Sequence, residues 1–392
     1  MRNTGVVARG IVTPIFRQGD DIVTLICDSL LESSKENGYT LNDGDIVGVT
    51  EAVVGRVQGN YASLDDISKD VRAKFGGGTL GIVFPILSRN RFAKVLQGIA
   101  GGCDKLIIQL SYPGDEVGNK LIDISVCDEK GVNPHHDHFT EKEFRNVFGM
   151  DTVHTFTGVD YIEYYKEIGG NCEIVFSNDP KFILKYTKNV LCCDIHTRLR
   201  TQALLLEGGA KTCLCLDDIL SEPLDGSGFS EYGLLGSNKA TETSVKLFPR
   251  DTQEFVEKLQ AELKKLTGST LEVMVYGDGC FKDPTGGIWE LADPVVSPAF
   301  TAGLAGTPNE LKIKYVADND YADLSGEALT ESIRERIKNK DDNLVGNEVS
   351  GGTTPRRIHD LVGSLCDLVS GSGDRGTPIV LVQNYFKNYA SE

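Results

Sequence analysis

The sequence predicts a mixed α/β fold, and three observations predict it. Short apolar runs rich in β-branched residues recur along the chain, at Ile46–Thr50, Lys105–Leu110, 271–276 and Ile379–Gln383, each of a length suited to a buried strand. Between them lie amphipathic stretches, the clearest over 251–266, where Phe255, Leu259, Leu263 and Leu266 recur at helical spacing. The 392 residues exceed what one small core requires, so two or more domains are expected.

Composition narrows the function classes. With 40% hydrophobic and 25% charged residues the chain is globular. Its net charge of −17 argues against a nucleic-acid or anionic-membrane partner. A nucleotide ligand would have to be held against that field by a metal ion, a few basic side chains and backbone N–H groups. No apolar run approaches a membrane span, and the first ten residues lack the apolar centre of a signal peptide, so a cytoplasmic location is expected. The ten cysteines are scattered without C-x-x-C spacing and read as buried, reduced thiols.

Taken in order, 10–21 is a strand or loop ending in a turn at Gly19-Asp20, and Asp20 or Asp21 caps a helix over 22–34. The strand Ile46–Thr50 runs into 50–59, where Gly55 and Gly59 bracket Arg56 and Gln58. This is either a glycine-bent connection or a place where backbone N–H groups and one cation meet a phosphate. It is not a Walker A loop, since G-x-x-x-x-G-K-S/T is absent. A helix over 89–100 precedes the strand Lys105–Leu110, which enters a Pro/Gly loop carrying Asp115, Glu116 and Asn119. That loop is a solvated turn or a contributor to a metal–nucleotide site.

Residues 121–250 are the hardest to read. His135, His136 and His138 form a dense polar cluster, a solvated loop or a metal site. Arg198 and Arg200 can hold a carboxylate by paired hydrogen bonds. A helix over 201–206, a strand over 211–216 and a glycine-rich loop over 225–236, either a lid or a surface loop, complete the region. Asp251 is placed to cap the 251–266 helix, with Glu254 completing a capping box. The following strand ends at Gly277-Asp278-Gly279. An Asp-Gly turn is the common meaning, and a carboxylate held out to a hard divalent cation is the other. Glu290 and Asp293 lie in the loop beyond, 317–323 is a helix lead-in, and 332–340 is helical. Thr354 and Pro355 are placed as N-cap and first helical residue of a helix reaching 368, with Arg356 and Arg357 at an anion-favouring start. A last glycine-rich loop, Gly371 to Gly376 with Asp374 and Arg375, precedes the final strand.

Five of these stretches together resemble the coenzyme F420-0:L-glutamate ligase family. The opening 10–21 is similar to the family's start, the Thr50–Gly59 turn has Arg56 where the family has a lysine, and Asp115 with Asn119 loosely matches an Asp…Asn loop. Asp278 before Gly279 matches a second Asp turn, and Gly373-Asp374 through Gly376 and Pro378 match a late glycine loop. The arginine at 56, a shorter turn at 278, and serine at 370 or 372 where the family has an acidic residue, are departures.

The resemblance implies a core of mixed sheets and helices formed by 1–120 and 251–392, with 121–250 as an inserted substrate or lid subdomain. It implies a GTP- or ATP-dependent ligase joining L-glutamate to a small-molecule carboxylate acceptor through an acyl phosphate, and a homodimer. Arg56, Asp115 and Asp278 would be catalytic, with Mg²⁺ or Mn²⁺ on Asp115 and Asp278. Thr13, Pro14, Ile15, Glu51, Arg56, Asn119, Gly371, Gly373, Asp374 and Gly376 would hold the nucleotide, and Arg356, Arg357 and Arg198 the substrate. A folate or other acid as acceptor, a nucleotide-binding regulator without catalysis, and a zinc hydrolase on the three histidines are the competing readings.

Overall fold

The computed structural model describes residues 4–283, 287–289, 291–353, 356–370 and 373–391. Gly371, Ser372, Glu290 and the Thr354–Pro355 cap lie outside the described residues. The described chain is a mixed α/β protein with three sheets.

Its elements run β1 Val7–Ile11, α1 Ile22–Asn37, β2 Ile46–Thr50, α2 Glu51–Val57, β3 Tyr61–Ser63, α3 Leu64–Phe75, β4 Thr79–Val83, α4 Phe92–Gly101 and β5 Lys105–Leu110. Then come α5 Ile124–Lys130, β6 Phe139–Thr140, α6 Glu141–Phe148, α7 Tyr161–Gly169, β7 Cys172–Phe176, β8 Asn189–Cys192, α8 Arg198–Glu207 and β9 Thr212–Cys215. The chain ends with β10 Asn238–Lys239, β11 Ser244–Lys246, α9 Thr252–Thr267, β12 Glu272–Tyr276, β13 Ala299–Phe300, α10 Ile313–Asn319, α11 Gly326–Lys338, α12 Ile358–Ser370 and β14 Ile379–Gln383.

The five-stranded sheet has the order β1-β14-β2-β12-β13, parallel between β2 and β12 and antiparallel elsewhere. Its strands look uniformly apolar because both faces are covered, yet the two-residue period survives. Val47, Val49, Val273, Val275, Ile379 and Leu381 face a cluster that includes Leu30 of α1 and Leu259 of α9. Ile46, Met274, Tyr276, Val380 and Val382 face Val362 and Cys366 of α12. Gly48 has no side chain because a Cβ there would lie 2.5 Å from Cys366 Sγ.

The six-stranded sheet has the order β6-β7-β5-β4-β8-β9 and is parallel except at β6. Two of its strands come from 79–110 and four from 139–215, so the pairing crosses residue 120. Successive strands β4, β5 and β7 proceed to one side, and β8 then pairs on the other side of β4. The loops after β4 and β8 therefore diverge, and a crevice at the carboxyl ends of the strands is lined by the loops after β4 and β5. A small sheet, β10-β11-β3, completes the set.

Some local expectations change. The 50–59 connection is not an open glycine loop: Thr50 accepts from Ala52 N and α2 follows. Gly55 is tolerated inside that helix because the Leu247 carbonyl lies 3.1 Å from where its Cβ would be. Asp251 sits at the N-cap of α9 with φ 55 and makes no side-chain cap bond, and Leu266 is exposed rather than buried. The 225–236 loop is packed along part of its length, with Leu234 and Leu235 buried and Gly228 N donating to Tyr61 O, while Asp225, Gly226 and Glu231 are exposed.

Candidate active site

The loop after β4 carries the crevice's first wall. It delivers Ser88, Arg89, Asn90 and Arg91, and α4 adds Lys94. The loop after β5 supplies Asn119, the 154–164 segment supplies His154, Phe156 and Tyr164, and the segment after β12 supplies Asp278 and Trp289. The β10–β11 hairpin closes one side with Lys239 and Glu242. These residues line a cleft of 810 Å³. Four of them are Arg or Lys and two are carboxylates, which makes the cleft cationic in a protein of charge −17.

At its floor is a buried charge network. Arg91 donates from Nη2 to both oxygens of Asp278, at 2.9 and 2.8 Å, and from Nη1 to Asp293 Oδ1 at 2.6 Å. Asp293 is 3% exposed and its other oxygen accepts from Asp278 N at 2.8 Å. Burial works against the Arg91 charge, but Asp293, Asp278 and Glu51 outweigh it and hold the guanidinium protonated well above its ordinary range. Close by, Glu51 pairs with Lys246 of β11 at 2.7 Å, both buried. Burial pushes the Glu51 carboxyl up, with Lys246 opposing.

The glycines around Asp278 have a reason visible only in three dimensions. A Cβ at Gly277 would lie 2.6 Å from Asp293 Oδ2, and one at Gly279 would lie 2.7 Å from Asp367 Oδ2. Gly279 N donates to that Asp367 oxygen at 2.8 Å. Three carboxylates thus gather on one short turn, with one guanidinium among them.

Asp115 lies behind the cleft wall. Its oxygens accept from Leu87 N, Val117 N, Asn119 N and Asn119 Nδ2, at 2.8, 3.1, 2.8 and 2.8 Å. Four donors match the lone-pair sites of a carboxylate. Burial raises the Asp115 pKa to about 6, against these bonds. Asn119, with its amide nitrogen so held, makes no hydrogen bond through Oδ1 among the described residues. Glu116 receives the N–H groups of Ile195 and His196 and so ties the β5 and β8 loops together.

A second cavity of 950 Å³ lies on the other side of the hairpin. It is lined by Ile15, Arg17, Arg56, Lys239 and Lys246 among others, with no carboxylate among its lining residues. Arg56 is anchored by its Nε, which donates to Phe16 O at 2.7 Å. Thr13 N donates to Gly376 O at 3.2 Å, so the opening loop and the late glycine loop meet.

The remaining expected residues are dispersed. Gly373, Asp374 and Gly376 are exposed, and Pro14 is exposed beside Ile15. Arg356 and Arg357 lie just before α12 and line neither cavity. Arg198 donates to Asp217 Oδ2 at 2.8 Å and to Ile195 O, a structural role for the side chain in this arrangement. His138 stacks on Phe182 and bonds Ser177, His136 bonds Asp137, and among the described residues the three histidines form no common ligand set. Arg91, Lys239, Lys246 and Asp293 are the site residues sequence reasoning missed. The available signal was the Arg89-Asn90-Arg91 run just past a buried strand.

The cleft is therefore an anion-favouring chamber with oxygen donors on its floor, beside a second cationic chamber. A comparison with curated proteins finds no match. A family model does match, over residues 10–384, and its description is F420-0:Gamma-glutamyl ligase. Because that match takes in nearly all of the sequence, including 121–250, the chain belongs to the F420-0:gamma-glutamyl ligase family.

Proposed function

We propose that the protein is a nucleoside-triphosphate-dependent ligase that joins L-glutamate to a carboxylate acceptor, with the acid activated as an acyl phosphate. The observation that carries this reading is the pair of adjoining cation-lined cavities in an acidic protein. The second cavity suits the triphosphate of GTP or ATP, with Arg17 and Arg56 as its counter-charges. The first suits the acceptor and glutamate, whose carboxylates meet Arg89 and Lys94.

The donor set on the cleft floor fits a hard divalent cation such as Mg²⁺ or Mn²⁺. Asp278 and the Asn119 amide oxygen would hold it, both being oxygen ligands on the cleft lining. Asp115 then acts on Asn119, turning its oxygen away from itself. When bound, such an ion supplies charge neutralisation on the phosphate oxygens.

The chain's own part is positioning. A carboxylate oxygen of the acceptor attacks the γ-phosphorus, forming an O–P bond while the bond to the β–γ bridging oxygen breaks and its electron pair leaves with the nucleoside diphosphate. The glutamate amine next attacks the acyl carbon, the C–N bond forms, phosphate departs with the C–O pair, and the amine proton passes to solvent or to a basic group. Arg91 keeps Asp278 oriented throughout. The test is phosphate release with nucleotide, Mg²⁺ or Mn²⁺, L-glutamate and candidate acids. Release that requires glutamate and acid together supports ligation. Nucleotide binding without turnover on any acid refutes it in favour of a regulator.

A further inference from the structure

We propose that Lys239 is a catalytic residue of this ligation, the cation that contacts the transferring phosphoryl group from the wall between the two cavities. The proposal rests on the ligase reading above. Lys239 lines the 810 Å³ cleft and also the 950 Å³ cavity, and no other lining residue is common to both.

The hairpin that carries it is fixed in place. Lys239 N donates to Asn90 O at 2.6 Å, which pins β10 to the loop of the first cleft. On the other side β11 pairs with β3, and Lys246 is held by Glu51. The Lys239 backbone is thus anchored between both chambers while its side chain stays 37% exposed.

Several of the other cations are already engaged or serve one cavity. Arg91 is occupied by Asp278 and Asp293, Lys246 by Glu51, and Arg56 reaches the second cavity alone. The Lys239 ammonium is paired with Glu242, whose side chain is 76% exposed and which also takes Lys94 at 3.1 Å. An exposed pair of this kind yields readily to an incoming anion. As the γ-phosphoryl moves from the β–γ bridging oxygen to the acid's oxygen, its equatorial oxygens pass the boundary the ammonium occupies. A point charge there serves the group before, during and after transfer.

The test has two arms on the full chain. In turnover, Lys239→Gln lowers kcat about 100-fold with the KM for glutamate changed less than about 3-fold, and Lys239→Arg restores part of the loss. In calorimetry, inorganic tripolyphosphate is titrated into Arg56→Gln, which weakens the second cavity, and Arg89→Gln, which weakens the first. Adding Lys239→Gln reduces the remaining affinity several-fold in both backgrounds. A loss in one background alone overturns the shared role, and a Lys239→Gln kcat within about 3-fold of the parent overturns the catalytic one. If the parent turns over no acid, the ligase reading and the catalytic role fail together, while the calorimetry still decides whether Lys239 serves both cavities.

Discussion

Arg91 is the residue on which most of the site's electrostatics turns. It is the cation paired with Asp293, whose side chain is 2% exposed. Removing one partner of such a buried pair leaves an uncompensated charge and costs about 3–5 kcal/mol. Arg91→Met is expected to lose that much in urea unfolding, whereas Lys69→Met, in an exposed pair, is expected to leave the unfolding midpoint close to the parent's. Asp115 gives a pH signature. Burial holds it near 6 in the folded chain, against 3.8 ordinarily. Between those values the folded state binds the extra proton, so stability falls as pH rises from 3.8 to 6 and the penalty is complete above 6. A shift of this size is worth about 3 kcal/mol. Asp115→Asn does not titrate, so the difference in unfolding free energy between pH 4 and pH 7 shrinks by about that amount.

At the level of elements, the strands were readable and the site between them less so. β2, β5 and β14 coincide with apolar runs whose bounds the sequence already marks, because a strand covered on both faces must be apolar throughout. The turn at 277–279 was readable as a carboxylate between glycines. The cause of the glycines was not, since Asp293 approaches from a loop 15 residues away from its partner and Asp367 from α12, 88 residues away from its own. Helix α2 was missed because Gly55 looks like a breaker until the Leu247 carbonyl is seen against it. Two predictions belong here. Gly277→Ala forces the Asp293 carboxylate aside, costs about 1–3 kcal/mol in chemical denaturation and weakens Mn²⁺ binding read by electron paramagnetic resonance. Truncation after residue 377 removes β14, the strand that joins β1 to β2, and is expected to leave a chain without cooperative thermal unfolding.

Across the whole molecule, the two larger sheets meet at charges rather than at a shared apolar layer. Glu51 comes from the end of β2, Lys246 from β11, Arg91 from the loop after β4, and Asp278 and Asp293 from beyond β12. No composition or periodicity rule brings together five residues this far apart in sequence, which is why Lys246, Arg91 and Asp293 escaped a linear reading. The protein's overall charge of −17 repels the polyanions that its two cavities attract, so binding depends on short-range contacts. The affinity for tripolyphosphate is therefore expected to survive moderate salt but to fall once the screening length drops to about 3 Å near 1 M. The most direct measurement is of where an oxygen goes. An acceptor whose carboxylate carries heavy oxygen is incubated with nucleotide, Mg²⁺ and L-glutamate, and the released phosphate is analysed by mass spectrometry. Activation through an acyl phosphate places one labelled oxygen in that phosphate; unlabelled phosphate released alongside amide product would contradict the account.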